Sequence, residues 1–195
     1  MGLSCLESIR EIPLPEGYRY VFYKNGDRDD WIEIERTAGE VCDHAHGVRT
    51  WEKYFGDYEH LLPERMIFIE NEEGEKVATA TAFFDNFGND KSGAGWVHWV
   101  AVRADHQGRR LSRPLISKTL ATLGSLGYSH AILHTQTTSW VACRIYLDFG
   151  FLPLPESEIE SKEGWQILKT ITNHPSLEKF ESINEQDIFR ENTAK

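Results

Sequence analysis

The stretch from Trp96 to Ser112 constrains the fold more than any other part of this chain. An apolar, strand-like run ends in Val100-Ala101-Val102, turns through Arg103-Ala104-Asp105-His106, and enters Gln107-Gly108-Arg109-Arg110-Leu111-Ser112, which opens an amphipathic helix. A strand, a tight basic turn and a helix start together make an anion cradle. The first backbone N–H groups of a helix have no acceptor within it and point outward, and the aligned peptide dipoles place partial positive charge at the same end. The chain carries 31 Asp and Glu against 21 Lys and Arg, yet here Arg103, Arg109, Arg110 and Arg113 oppose only Asp105. Basic charge is gathered where a pyrophosphate would sit.

A second signal lies downstream. Ser139 to Phe151 reads as a helix with Ser139 as its cap and Gly150 as its left-handed stop. Val141, Ile145 and Phe149 are the expected buried stripe. Tyr146 falls beside Ala142 on an adjoining stripe, so its hydroxyl needs a polar partner or a cleft.

On these two segments the chain resembles the GNAT superfamily of acetyl-CoA-dependent N-acetyltransferases. The acetyl-CoA loop of that family has the form Q/R-x-x-G-x-G/A after a central strand. Gln107 and Ser112 fit it, and Arg110 stands where the first signature Gly is usual. The second family signature, N-x-x-A-x-x-x-Y-x-x-x-G-F, is matched by Ser139, Ala142, Tyr146, Gly150 and Phe151, with Ser in place of Asn.

The resemblance implies an α/β fold, a mixed central sheet flanked by helices, that moves an acetyl group from the cosubstrate acetyl-CoA to a primary amine of a small molecule or peptide. It implies that the backbone of Val100, Ala101 and Val102 pairs with the pantetheine arm and steadies the thioester oxyanion. Gln107, Gly108, Arg109, Arg110, Leu111 and Ser112 would hold the pyrophosphate, and Ser139 would reach the cofactor arm. Tyr146 would protonate the departing thiolate. His98, two residues before Val100 and read as sharing its strand face, is the candidate base; a satisfied core histidine is the alternative. A CoA-binding sensor without transferase activity is the rival function.

The rest of the chain reads in the same order as that family. Tyr18 to Tyr23 is a strand, followed by a turn at Asn25-Gly26-Asp27 and a helix through Trp31, Ile34 and Ala38 capped by Asp29 or Asp30. Trp51, Tyr54, Phe55 and Tyr58 have the spacing of a second helix. Met66 to Glu70 and Lys76 to Phe84 read as a hairpin, Trp96 to Val102 as the next strand, and Leu111 to Leu126 as a helix starting near Arg110, with Pro114 in its first turn. Ala131 to His134 and Gln166 to Lys169 read as further strands. Residues 1–170 are expected to form a single domain and residues 171–195 an extension that can dock on it or cross to a second subunit as a homodimer.

At 195 residues and 40% hydrophobic, the chain suits one domain with a sizeable core. No apolar run approaches a membrane span, no signal peptide opens the chain, and Cys5, Cys42 and Cys143 have no framework spacing, so a cytoplasmic protein with reduced thiols is expected. The net charge of -10 argues against nucleic acid as a partner. Cys42-Asp43-His44-Ala45-His46 matches no closed zinc pattern, so no metal is expected. The aromatic Trp31, Trp51, Tyr54 and Tyr58 serve equally as core or as pocket: a pocket walled by aromatics favours an arylalkylamine or an amino-acid side chain, and one rimmed by Glu33, Glu35 and Glu40 a polyamine or a cationic antibiotic.

Overall fold

Two apolar strands, Met66–Glu70 (β3) and Lys76–Phe83 (β4), pair antiparallel about a turn in which the Asn71 side chain accepts the Glu75 N–H at 2.8 Å and Gly74 takes the left-handed conformation, φ 84°. Around this hairpin the sheet grows in both directions. Arg19–Phe22 (β2) adds antiparallel to β3, and Gly95–Val102 (β5) adds antiparallel to β4. Ala131–Ile132 (β6) then pairs parallel with the start of β5, and Gly2–Leu3 (β1) closes the far edge antiparallel to β6. The result is a mixed sheet of order β1-β6-β5-β4-β3-β2 in a computed structural model that describes residues 1–84, 93–154 and 159–178.

One face of the sheet is covered by Arg28–Ala38 (α1) and His44–Phe55 (α2). Trp31 and Ile34 of α1 and Trp51 and Phe55 of α2 are buried with Phe68 and Phe83 of the sheet. Each such side chain stabilises the fold by about 1.5–3 kcal/mol relative to exposure. Edge-to-face ring contacts join the layer, Trp31 to Trp51 at 5.3 Å and Trp31 to Phe55 at 5.6 Å. Asp43 caps α2 by accepting the His46 N–H at 2.7 Å, which gives the Cys42 to His46 run a structural role. Asp27, not Asp29 or Asp30, stands at the start of α1, and Lys76 bridges Asp27 and Asp30.

The other face carries Ser112–Ser125 (α3), whose Leu115, Ile116, Leu120 and Leu123 are buried. Pro114 sits in the first turn, where its missing N–H leaves nothing unpaired. Trp140–Asp148 (α4) follows β6, and Ile159–Thr172 (α5) packs on α4.

One expectation is corrected here. Gln166 to Lys169 is not a strand but the middle of α5: Leu168 is buried, Trp165 packs against the same core, and the Thr172 hydroxyl donates to the Leu168 carbonyl at 2.7 Å, a helical spacing that a four-residue window cannot show. The sheet edge beside β6 is formed by β1, a strand not expected from the sequence, whose Leu3 joins Ala131, Leu133 and Phe151 in the core. Buried Leu177 continues past α5, while the other apolar residues of the expected extension, Phe180, Ile183, Ile188 and Phe189, lie outside the described residues. No described helix is long and apolar enough to cross a membrane.

Because Leu3 is buried at that edge, Leu3→Ala is expected to lower unfolding free energy by about 2–3 kcal/mol, measured by urea titration.

Candidate active site

The site begins with a defect in a ladder. Thr81 pairs with His98 and Thr79 with Ala101, so Ala80 alone of β4 faces two residues of β5, Trp99 and Val100. Trp99 absorbs the extra residue with a left-handed backbone, φ 49°, a conformation that costs a bulky residue about 1–3 kcal/mol. Its indole is held by Trp31 at 5.3 Å and Tyr54 at 5.0 Å. Side-chain parity breaks at this point. His98 and Trp99 both face the α1–α2 layer, His98 against Tyr54 and Phe83, whereas Val100 faces the α3 side. The expectation that His98 and Val100 share a strand face is thereby corrected.

β6 pairs with β5 at Gly95 and Trp96, so among the described residues no strand lies beside that edge of β5 beyond Trp96. A cleft of about 440 Å³ opens there, lined by Glu35, Glu40, Tyr54, Trp96 to Val100, His134, Thr135, Gln136, Ser139, Ala142 and Tyr146. Strand backbone, His98, Ser139 and Tyr146, all singled out in the sequence, therefore meet in one place. Ala101 and Val102 are buried in the sheet and continue the strand toward the loop.

Tyr146 is 6% exposed, and its hydroxyl makes no hydrogen bond among the described residues. Burial, followed by the nearby Cys143, Glu40 and Glu35, pushes its pKa above the ordinary tyrosine value, so it is a protonated donor at neutral pH. The buried stripe of α4 is Cys143, Tyr146 and Leu147, with Val141 56% exposed, a correction to the stripe expected. Ser139 lines the cleft without capping α4; a 3-10 turn at Thr137–Ser139 leads into the helix instead. Cys143 contacts the Thr135 hydroxyl at 3.3 Å, and burial raises its thiol pKa, which keeps it un-ionised.

The loop after β5 is built as an open cradle. The Gln107 amide donates to the Val102 carbonyl at 3.2 Å and ties the loop to the strand end. Gly108 adopts φ 78°, with no atom within 4 Å of where a Cβ would stand. Arg110, where the family usually has glycine, takes the glycine-like φ of 64°. Arg103 is engaged by Asp105, whose pKa His106 and Arg103 together lower to about 2, and Arg113 by Asp148. Arg109 donates to the Asp105 carbonyl and to the Tyr18 hydroxyl. Arg110 is exposed, with no hydrogen bond or ion pair among the described residues. Leu111 is buried in the core and contributes only backbone, and Ser112 starts α3.

Glu35 is the residue the sequence understated. It is fully buried on α1, and neither carboxyl oxygen has a hydrogen-bond partner. The same layer holds Trp31 Nε1 and the Thr79 and Thr81 hydroxyls, likewise unpartnered. Loss of hydration, then the charge of Glu40, raises the Glu35 pKa well above the usual carboxylate range. The available signal was its place four residues after Trp31 and beside Ile34, inside the apolar stripe of α1. Among the described residues no group of three His, Cys, Asp or Glu is arranged to hold a metal.

A buried acid of this kind carries a stability signature. Above the ordinary Glu value of about 4.3, the unfolded chain has lost the proton that folded Glu35 still holds, so stability falls as pH rises, by about 1.4 kcal/mol per unit until the folded pKa is passed. Glu35→Gln should remove that dependence and gain on the parent as the pH rises above the ordinary Glu value, measured by urea unfolding at a series of pH values.

No curated protein matches the chain in sequence. The profile of the acetyltransferase (GNAT) family matches residues 28–151. Among solved structures, a GCN5-related N-acetyltransferase from Sphaerobacter thermophilus is similar over 68% of this chain and 40% of that one, at 18% identity and a TM-score of 0.54. A putative acetyltransferase from Pyrococcus horikoshii is similar over 73% of this chain and 46% of its own, at 16% identity and a TM-score of 0.56. This chain thus spans less than half the length of either. Diaminobutyrate acetyltransferase from Paenibacillus lautus, solved with L-2,4-diaminobutyric acid and coenzyme A, is similar over 68% of this chain and 74% of that one, at 16% identity and a TM-score of 0.51. At these identities the likeness is one of fold, while the profile, which takes in α1, the bulged strand, the loop and α4, decides the family: the chain belongs to the acetyltransferase (GNAT) family.

Proposed function

We propose that this protein is an N-acetyltransferase that transfers the acetyl group of acetyl-CoA to a primary amine. The observation that carries the reading is the meeting of an unbonded, protonated Tyr146 with the unpaired edge of β5 in one cleft, at the end of which the strand runs into an anion cradle. The residues present suit the cosubstrate. A pyrophosphate would rest on the outward N–H groups at the start of α3, with the open backbone at Gly108 giving room and Arg110 supplying charge.

Acetyl-CoA supplies the activated thioester. Backbone N–H groups of β5 beside the bulge hold the carbonyl oxygen as negative charge builds on it. The amine's proton leaves into the cleft wall, where His98 and Glu35 both stand. Tyr146 donates its proton to the sulfur as the carbon–sulfur bond breaks, a task suited to a weak acid because the thiol it forms has a pKa of about 8.5. No covalent enzyme intermediate enters: buried Cys143 is un-ionised and lies against Thr135. Residues 1–170 act as one unit in this reading, with residues 171–195 an extension beyond it.

The rival reading, a CoA sensor, draws on Arg110 in place of glycine. Its φ of 64° keeps the loop in the shape a glycine would give it, which favours retained binding geometry and leaves activity to be decided at Tyr146.

Four outcomes are expected. Millimolar CoA should stabilise the protein in a thermal shift assay, by about 2.7 kcal/mol at a hundredfold excess over Kd. Tyr146→Phe should bind acetyl-CoA like the parent and lose about 10² to 10⁴ in kcat, read by thiol release; a Phe variant at parental rate removes Tyr146 as the acid. Arg110→Gly should change the stability of the free protein by no more than about 1 kcal/mol, as relief of the left-handed backbone offsets added chain entropy. By calorimetry the same variant should bind CoA about tenfold more weakly, through loss of a charged hydrogen bond.

A further inference from the structure

We propose that Glu35 and Glu40 make this cleft an acceptor site for cationic alkylamines bearing no carboxylate or phosphate, with Glu35 receiving the ammonium group and its proton. The proposal rests on the acyltransferase reading above and names its acceptor class.

The charge of the cleft is one-sided. Among the described residues that line it, the acidic side chains are Glu35 and Glu40 and none is Lys or Arg. Their proximity is built by the end of α1. Gly39 turns left-handed at φ 92°, and the Glu40 N–H closes back on the Glu35 carbonyl at 2.9 Å, so the chain folds Glu40 toward Glu35. The helix ends there, and its carbonyl pole favours a cation in the same spot as the two carboxyls.

Glu35 has no structural task to account for its burial. Its carboxyl takes no hydrogen bond from the core, and Trp31 Nε1, one turn earlier on the same helix, is itself unpartnered. A carboxyl kept in this state costs the fold several kcal/mol unless something pairs with it. An ammonium in the cleft would do so. The pair, carboxylate with ammonium or carboxylic acid with amine, shares one proton and carries no net charge into the protein, which fits the upward shift of Glu35 caused by burial. A phosphate or carboxylate on the acceptor would instead be desolvated against Glu35 and Glu40.

Aromatic rings form part of the remaining wall, beside the aliphatic Val97, Val100 and Ala142. Tyr54 and Trp99 meet at 5.0 Å and Trp96 and His98 at 5.4 Å, a lining that takes an alkyl or aryl body and attracts a cation by ring quadrupole. The volume of about 440 Å³, shared with the acyl end of the donor, limits the acceptor to a small molecule. The ammonium binds with release of the Glu35 proton to water, and in the reaction one ammonium proton passes back to the Glu35 carboxylate. The nitrogen lone pair then forms the carbon–nitrogen bond as the carbon–sulfur bond breaks. Tyr146 protonates the sulfur and recovers a proton from the nitrogen, and Glu35 keeps its proton until the next ammonium binds.

The test uses the full chain with acetyl-CoA and thiol release, comparing tyramine with L-tyrosine, 1,5-diaminopentane with L-lysine, and glucosamine with glucosamine 6-phosphate. Each amine should exceed its carboxylated or phosphorylated counterpart at least about tenfold in kcat/KM. Glu35→Gln, which keeps the side-chain shape, should lower kcat/KM by about 10² or more with acetyl-CoA affinity unchanged, and should cost more than His98→Gln. Glu40→Gln should raise KM for the amine severalfold with kcat nearly kept. Equal or better use of the anionic counterparts, a Glu35→Gln variant at parental kcat/KM, or no turnover of any of these amines by a protein that binds acetyl-CoA would each overturn the proposal while the acyltransferase reading stands. Failure to bind acetyl-CoA would remove both.

Discussion

Everything in the cleft hangs on the extra residue at Trp99. With a regular ladder, His98 and Val100 would project to one side and β5 would run straight beside its neighbours. The bulge instead sends two successive side chains, His98 and Trp99, into the α1–α2 layer and bends the strand where β6 leaves it. The left-handed backbone of Trp99 is unfavourable in isolation, and the rings of Trp31 and Tyr54 hold it in place. The aromatic core beneath α1 and α2 is therefore the support of the site as well as the interior of the domain.

That layer shows where packing gives way to function. Trp31, Ile32 and Ile34 bury apolar surface on α1, while Glu35 on the same stripe buries a carboxyl with no partner, opposite the unpartnered hydroxyls of Thr79 and Thr81. Unpartnered buried polar atoms cost about 1–3 kcal/mol each, and the apolar rings around them must offset it. The loop repeats the pattern on a smaller scale, since Arg110 holds a backbone shape natural to glycine while offering an unengaged guanidinium.

Much of the fold was legible because its elements have strong local periods. The hairpin β3–β4 alternates and turns on Asn71 and Gly74, α1 and α2 carry apolar residues at helical spacing, and the loop from Gln107 to Ser112 stands between a clear strand and a clear helix. What failed lacked such a period or had two. Along α4, Val141-Ile145-Phe149 and Cys143-Tyr146-Leu147 both satisfy helical spacing, and only packing chooses the second. β1 has two residues, too few for any alternation. The bulge left no glycine at Trp99 to mark it, so the parity of His98 was misread. Within the site, Tyr146, Ser139 and Val100 were legible as positions in a family pattern. Glu35 was seen as part of an acidic rim, since a charged residue on a helix is ordinarily solvated.

The edge formed by β1 has a consequence for how the molecule comes together. The Met1 amine meets the Leu133 carbonyl at 2.8 Å, across a sequence separation of 132 residues, and the rest of the sheet from β2 to β5 is joined by nearer neighbours. Loop-closure entropy makes such a distant pairing slow to form and early to open. The edge strand β1 is thus clamped by long-range contacts, to Leu133 and, farther along the chain, to Leu152, which exchanges both backbone hydrogen bonds with Gly2. With two paired residues on each side, β1 and β6 are expected to open locally before the aromatic layer and to loosen that end of the binding site with them.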